Sequence, residues 1–358
     1  RHLDLMERRH LDLLVDGNHE GFVGKHILTC KYGENAWQTP ANLYAYATKD
    51  DPLAIHNFKS VGGTDPSFNN LLDLDRALQT ITHIAAALDV NRINKSAAIA
   101  VGVKHGNACG VGLSSLSQCS KAVFKMMEGD KQTLFGGVMV TNFQLTLQSL
   151  EHMSGHRFDL IAAPGIEPGV IESLERKHGK CRFLVNESLQ GLTRESLATE
   201  TRFRHVRGGF LTQPNYTFVP ELEAGYMKHF GKELTYRHLW GMTLAWAIGS
   251  TSNSNTITIV KDYKLLGNGV GQQDRVGAVR LAIERAVRCG HNLEGSVAYS
   301  DSFFPFPDGV QTLIDAGIKA IFTTSGSVND RDTISLCEKN GISLHMMPDT
   351  VGRGFFGH

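Results

Sequence analysis

Short runs of small and β-branched residues alternate along this chain with stretches whose apolar residues recur at helical spacing. That alternation restricts it to an α/β architecture. The runs "SAAIAVGV" (Ser96–Val103), "TLFGGVMVTN" (Thr133–Asn142), "FDLIAAPG" (Phe158–Gly165) and "TITIV" (Thr256–Val260) suit buried strands, as do segments 297–299 and 320–323. Between them lie helical patterns. Leu71, Leu74, Leu78, Ile81, Ala85 and Leu88 form one stripe, with Ser67 or Asn69 as the cap. Ser114 or Ser115 is expected to open a helix containing Val123, Met126 and Met127, and "LWGMTLAWAIG" and "DRDTISLCEKNG" read as two more. In "LGNGVGQQDRVGAVRLAIERAVRCG" a glycine turn feeds an amphipathic helix, with Val276, Val279, Ile283 and Val287 inward and Arg280 and Glu284 paired outside.

A chain of 358 residues has room for two domains. Polar, charge-mixed sequence from Asn186 to Arg204 reads as a linker, so the expected partition is a leader or surface helix over 1–24, one lobe over 25–195 and a second over 196–358. Lys+Arg and Asp+Glu both number 36, which speaks against a general nucleic-acid or membrane surface while leaving room for a few local cations around a phosphate. The cysteines Cys30, Cys109, Cys119, Cys181, Cys289 and Cys337 lack metal-type spacing and read as reduced thiols of a cytoplasmic protein. No apolar run approaches membrane-spanning length, and the start lacks both a signal-peptide pattern and an initiator Met.

The segment "VKHGNACGVG" places Lys104 and His105 at the carboxyl end of a strand, where open α/β sheets bind ligands. Imidazole accepts a proton near neutral pH and an adjacent ammonium can donate one or hold charge. Neighbours on a regular strand point to opposite faces, so both reach one cleft only if the backbone turns at Gly106. From spacing alone, a capped strand end with a solvated Lys and a hydrogen-bonded His is the commoner outcome. A zinc deaminase would need His-x-Glu here and a later Cys-x-x-Cys; Asn107 stands in place of the Glu and no Cys-x-x-Cys occurs. "GNGVGQQ" (Gly267–Gln273) suggests a phosphate cradle without a full dinucleotide fingerprint, and Arg275 beyond it could reach a phosphate or face water. In "SDSFFPFPDG" (Ser300–Gly309) the phenylalanines plug the core or wall a planar heterocycle, and Asp308 suits a pterin or purine N–H edge. "KYGENAWQ" (Lys31–Gln38) is a polar turn.

Taken in order, "YGENAWQ", "KHGNACG", "FGG" at Phe135, "GNGVGQQDR" and "SDSFFPF" resemble the signatures of the AICAR transformylase/IMP cyclohydrolase family, in its formyltransferase part; "GGFLTQ" at Gly208 and "SGS" at Ser325 fit as well. The resemblance runs from about Lys31 to His358, without the cyclohydrolase domain that usually precedes it. It implies two cytidine-deaminase-like lobes with mixed sheets flanked by helices, without the zinc. It also implies transfer of a formyl group from 10-formyltetrahydrofolate to the 5-amino group of AICAR, with no catalytic metal, in a homodimer whose active sites lie at the interface. Carried over, Lys104, His105 and Asn253 are the catalytic positions. Lys31, Tyr32, Asn70, Gly136, Asp159, Arg275, Phe303 and Arg353 resemble nucleotide contacts; Phe135, Val276, Pro305, Phe306 and Asp308 resemble the folate pocket.

Departures from the pattern fall mostly on the binding side. Lys31 stands where the family often has Arg, Trp37 for a His, Pro307 for an Arg, and Ala36 and Ala108 for prolines. Gly354 occupies the family's C-terminal Arg position, with Arg353 one step earlier. A catalytically silent paralogue that binds a purine nucleotide is therefore the alternative, with a zinc nucleoside deaminase a remote third; intact Lys104, His105 and Asn253 favour the enzyme.

Overall fold

The computed structural model describes residues 21–357 apart from residues 22, 47–50, 94–96, 154 and 176. The expected leader helix over 1–24 falls almost wholly outside the described residues. Strands β1 (Gly24–Cys30) and β2 (Ala41–Tyr46) form a separate antiparallel hairpin. Strand β3 (Lys59–Gly62) leads into helix α1 (Phe68–Val90), then come β4 (Ala97–Lys104), β5 (Asn107–Ser115), α2 (Cys119–Met127), β6 (Val138–Thr141), β7 (Leu160–Ala163), α3 (Pro168–Leu174) and β8 (Arg182–Val185). A second free hairpin follows, β9 (Thr201–Val206) and β10 (Gly209–Pro214). The later part holds β11 (Lys228–Gly231), α4 (Tyr236–Gly249), β12 (Ile257–Lys261), β13 (Lys264–Gly269), α5 (Arg275–Arg288), β14 (Val297–Ser300), α6 (Asp308–Asp315), β15 (Ala320–Ser325), α7 (Asp330–Lys339), β16 (Ser343–Pro348) and α8 (Asp349–Gly352).

Twelve strands make one mixed sheet in the order β11-β16-β15-β14-β12-β13-β5-β4-β6-β7-β8-β3. The order reads as one six-strand unit used twice. Each unit has an antiparallel hairpin (β4–β5, β12–β13), a third strand antiparallel to the hairpin's first (β6, β14), two more parallel to the third (β7 and β8, β15 and β16), and an antiparallel edge (β3, β11). The units join antiparallel through β5 and β13, at Lys264 and Gly112. The expected lobes thus share a continuous sheet.

Helices α1 and α4 pack against each other on one sheet face and share one core, which includes Leu74, Ile81, Trp246, Val101, Val140, Val260, Tyr299 and Phe322. The opposite face carries a separate core for each unit. Helix α1 starts where spacing predicts: Ser67 caps it, and a reciprocal bond with Asn70 completes a capping box. From Ala77 to Leu88 every residue is buried, polar Gln79, Thr80, Thr82 and His83 included, as a helix pressed between a sheet and another helix requires.

Several local expectations change. Strand β5 continues through Ser115, and the helix begins only at Cys119 after a 3₁₀ turn. The linker 186–204 contains two 3₁₀ turns and the start of β9. In α5 the buried face is Ala278, Val279, Ala282 and Ala286, while Val287 is exposed. The reason lies in β13. A Cβ on Gly267 or Gly269 would strike the carbonyls of Ala282 or Ala278, so the helix lies on the strand backbone through its alanines. The same device operates in the first unit, where Cβ atoms on Gly110 and Gly112 would strike Met126 and Ala122 of α2. Gly267 and Gly269 of the expected phosphate cradle therefore serve helix packing.

Candidate functional site

The hairpin β4–β5 closes with two residues, and both have positive φ: His105 at 51° and Gly106 at 70°. This is the twist-compatible way to close a two-residue hairpin. The backbone turns where Lys104 and His105 need it to. Lys104 Nζ donates to the Phe135 carbonyl at 2.5 Å, at the turn that feeds β6. Gly136 follows at φ 77°; a Cβ there would lie 3.9 Å from Lys104 Nζ and 4.0 Å from Asp159 Oδ1. Strands β6 and β7 run antiparallel to β4, so their starts meet its end, and this gathers Lys104, Gly136 and Asp159 at one sheet edge. Arg157 lies over the Phe135 ring, 5.7 Å from its centroid.

Asn253 reaches this edge from the other unit. Its backbone N–H donates to Asn107 Oδ1 at 3.0 Å, while Asn107 Nδ2 donates to the His105 carbonyl at 3.2 Å. One side chain thus couples the His105 turn to the Asn253 loop across 146 residues of sequence. The C-terminal tail pins that loop from the other side: Phe356 N–H donates to the Ser252 carbonyl at 2.9 Å and Ser254 N–H to the Gly357 carbonyl at 3.2 Å. Arg76 holds the tail, through the Phe356 carbonyl at 2.9 Å and the face of the Phe356 ring, and Arg202 lies over the same ring at 3.6 Å.

The other sequence-derived positions are placed as follows. Asn70 is buried in the α1 capping box. Exposed Lys31 and half-buried Tyr32 stand in a loop tied to the same helix end by Asn69 Nδ2 donating to the Glu34 carbonyl at 3.2 Å. Arg275 neither faces water nor projects freely. It is buried, its guanidinium pairs with the buried Asp301 carboxylate, and it donates to Asn255 Oδ1 at 2.9 Å. Val276 is half-buried on the first turn of α5. Arg353 forms an ion pair with Asp349 at 2.6 Å, and Phe303 packs near Gly326. In the aromatic loop Phe304 enters the core, while Phe306 is 62% exposed beside exposed Pro305 and Asp308.

Lys104, His105, Phe135, Asn253 and the loop carrying Phe303 and Phe306 stand at the same end of the strands. Phe135 precedes β6 and Phe306 follows β14, five strand spacings apart, or roughly 24 Å at about 4.8 Å each. A cavity of about 330 Å³ lies between the two free hairpins and α1, lined by Tyr46, Gln79, Arg202 and Phe356 among others.

Burial pushes the Cys109 thiol up to about 12, so the cysteine of this motif is no thiolate nucleophile at neutral pH. Among the described residues, no three His, Cys, Asp or Glu side chains gather as metal ligands, and no helix is long and apolar enough to cross a membrane. Sequence reasoning missed Asp73, whose carboxylate accepts the N–H of His105 at 3.2 Å and of Gly106 at 2.7 Å. Burial raises its pKa, against the lowering effect of those two N–H groups and of nearby His105 and Arg76. It also passed over Asn107, although that residue stands inside the quoted motif.

The chain is 33% identical over 314 residues to the bifunctional purine biosynthesis protein PurH of Streptococcus pneumoniae (strain P1031), covering 88% of this chain and 57% of that protein. Among solved structures, a diaminohydroxyphosphoribosylaminopyrimidine deaminase/5-amino-6-(5-phosphoribosylamino)uracil reductase from Thermotoga maritima matches 26% of this chain and 30% of its own at 23% identity, TM-score 0.21. The dCMP deaminase of cyanophage S-TIM5 matches 30% of this chain and 94% of its own at 18% identity, TM-score 0.24. The AICARFT/IMPCHase bienzyme model matches residues 15–285, most of the sheet and both halves of the His105–Asn253 junction, and the chain belongs to that family.

Proposed function

We propose that this chain transfers a formyl group from 10-formyltetrahydrofolate to the 5-amino group of AICAR. The observation that carries the reading is the junction itself: a Lys-His pair on a hairpin turn, joined through Asn107 to Asn253 of the other unit. The acceptor amine is a weak nucleophile because its lone pair is delocalised into the imidazole and carboxamide. Transfer therefore needs a base for the amine proton, an acid for the departing folate nitrogen, and a donor for the tetrahedral oxyanion. His105 takes the first role, Lys104 acts on the folate side, and Asn253 holds the carboxamide and formyl oxygens. No step calls for a metal.

The folate would lie against aromatic faces, and exposed Phe135 and Phe306 supply them. Their separation within one chain supports a homodimer in which one protomer brings the Lys104–Phe135 edge and its partner the Phe303–Asp308 loop to each site. The chain spans 57% of the length of the PurH relative it matches. Incubating pure protein with AICAR and 10-formyltetrahydrofolate should release tetrahydrofolate, and Lys104→Ala and His105→Ala should each remove most of that turnover. Background-level release by the unaltered protein at saturating substrates would overturn the proposal.

A further inference from the structure

The fold contains its own control for the His105 turn. Hairpin β12–β13 also closes with two residues at positive φ, Asp262 at 53° and Tyr263 at 65°. In each unit the preceding helix starts at a capping-box residue, Ser67 for α1 and Thr235 for α4. Six residues past the cap stands Asp73 in the first unit and Gly241 in the second. The second turn forms with no helix carboxylate at that place; its Asp262 pairs with exposed Arg237. A hairpin of this kind therefore closes without a helix carboxylate under its backbone, yet the first unit places a part-buried one there.

We propose that Asp73 is a positioning residue for His105: by accepting both successive N–H groups of the turn, its carboxylate fixes the direction in which the imidazole leaves the hairpin. The proposal rests on the reading of His105 as the base for the acceptor amine. A carboxylate with two acceptor oxygens can hold both N–H groups, whereas a neutral amide offers one oxygen and turns a donor toward the other. The same turn begins at Lys104 and ends at Asn107, which carries the link to Asn253. Slack in the turn would thus misplace the base relative to everything it must meet, while the nucleotide contacts elsewhere on the edge stay in place.

The test compares Asp73→Asn and Asp73→Ala with the unaltered protein and with His105→Ala, using AICAR and 10-formyltetrahydrofolate. Three quantities are read: kcat against KM for AICAR, the melting temperature, and amide hydrogen exchange at residues 105 and 106 by NMR. Loss of alignment at a reacting centre costs roughly ten- to a hundredfold in rate. The expected result is a fall of that size in kcat, with KM for AICAR little changed and faster exchange at both amides. A purely structural carboxylate would lower the melting temperature without that split. Should Asp73→Ala fail to fold, Asp73→Asn carries the comparison, being nearly isosteric. Unchanged exchange at 105 and 106, or kcat near normal while His105→Ala is inactive, overturns the positioning role. Near-normal turnover by His105→Ala removes the functional reading beneath it, and the proposal with it.

Discussion

His83 offers a direct test of how the core between the two helices responds to acid. It lies fully buried on α1, stacked on Tyr216 with centroids 5.9 Å apart. Its Nδ1 faces the Gln79 carbonyl at 2.7 Å and its Nε2 the Tyr216 carbonyl at 3.2 Å. A neutral imidazole has one N–H, so only one of these carbonyls receives a proton; the cation would serve both. Burial nevertheless dominates and pushes His83 from its ordinary 6.5 down to about 4, against the raising effect of the two carbonyls. Between those values the unfolded chain binds one proton more than the folded chain, so the stability His83 contributes is whole above 6.5 and disappears as pH falls toward 4. Each pH unit in that window costs about 1.4 kcal/mol, which puts roughly 3 kcal/mol at stake, about 2 of it lost by pH 5. Urea unfolding at pH 7.5 and 5.0 should show the unaltered protein losing about 2 kcal/mol more than His83→Gln, whose amide does not titrate. His238, His291 and His345 are also shifted down by burial and titrate in both proteins, so the difference isolates His83. Equal losses in the two proteins would refute the reasoning.

Ser67→Ala removes the side-chain acceptor of the α1 capping box and should cost about 1 kcal/mol, read as a lower urea midpoint at unchanged slope. Gly269→Ala drives a methyl into the Ala278 carbonyl and should cost roughly 1–3 kcal/mol or more as α5 is levered off β13. Gly209→Ala, with open space around its Cβ, is the matched control and should stay within about 0.5 kcal/mol. Cys109 should resist a maleimide at pH 8 in the folded protein and react once it is unfolded, which peptide mass mapping would show.

What was legible in the sequence followed from local rules. The α1 stripe and its Ser67 cap, the strand before Lys104 and the helix before Asn253 all announce themselves through periodicity and capping chemistry. Where a long-range contact decided the outcome, spacing misled. The face that α5 buries is set by glycines on β13, so Ala278, Ala282 and Ala286 join the expected Val279 inward while Val287 is left outside. Arg275 reads as a cation at a helix start that could reach a phosphate or face water, and only the fold brings Asp301 to it. Asp73 is invisible for the same reason. Between Leu71 and Leu74 it is one polar residue on a helix, and its role exists only once the hairpin turn lands on it.

The duplicated unit also bears on how the proposed site would be assembled. Strands β5 and β13 pair antiparallel, so the second unit is inverted and its Asp262–Tyr263 turn faces away from the edge that carries Lys104 and His105. That edge receives, from the second unit, the loops around Asn253 and Ser300–Phe306. The two contributions are therefore unlike, and five strand spacings separate Phe135 from Phe306 within one chain. On the proposed reading, a site using both draws them from two chains. His105→Ala and Asp308→Ala place lesions on opposite sides and should each remove most turnover alone, then complement when co-refolded. Random pairing makes half the dimers mixed, and each mixed dimer has one intact and one doubly damaged site, so about a quarter of normal turnover should return. Activity no higher than the average of the two separate variants would mean that each site is built within one chain.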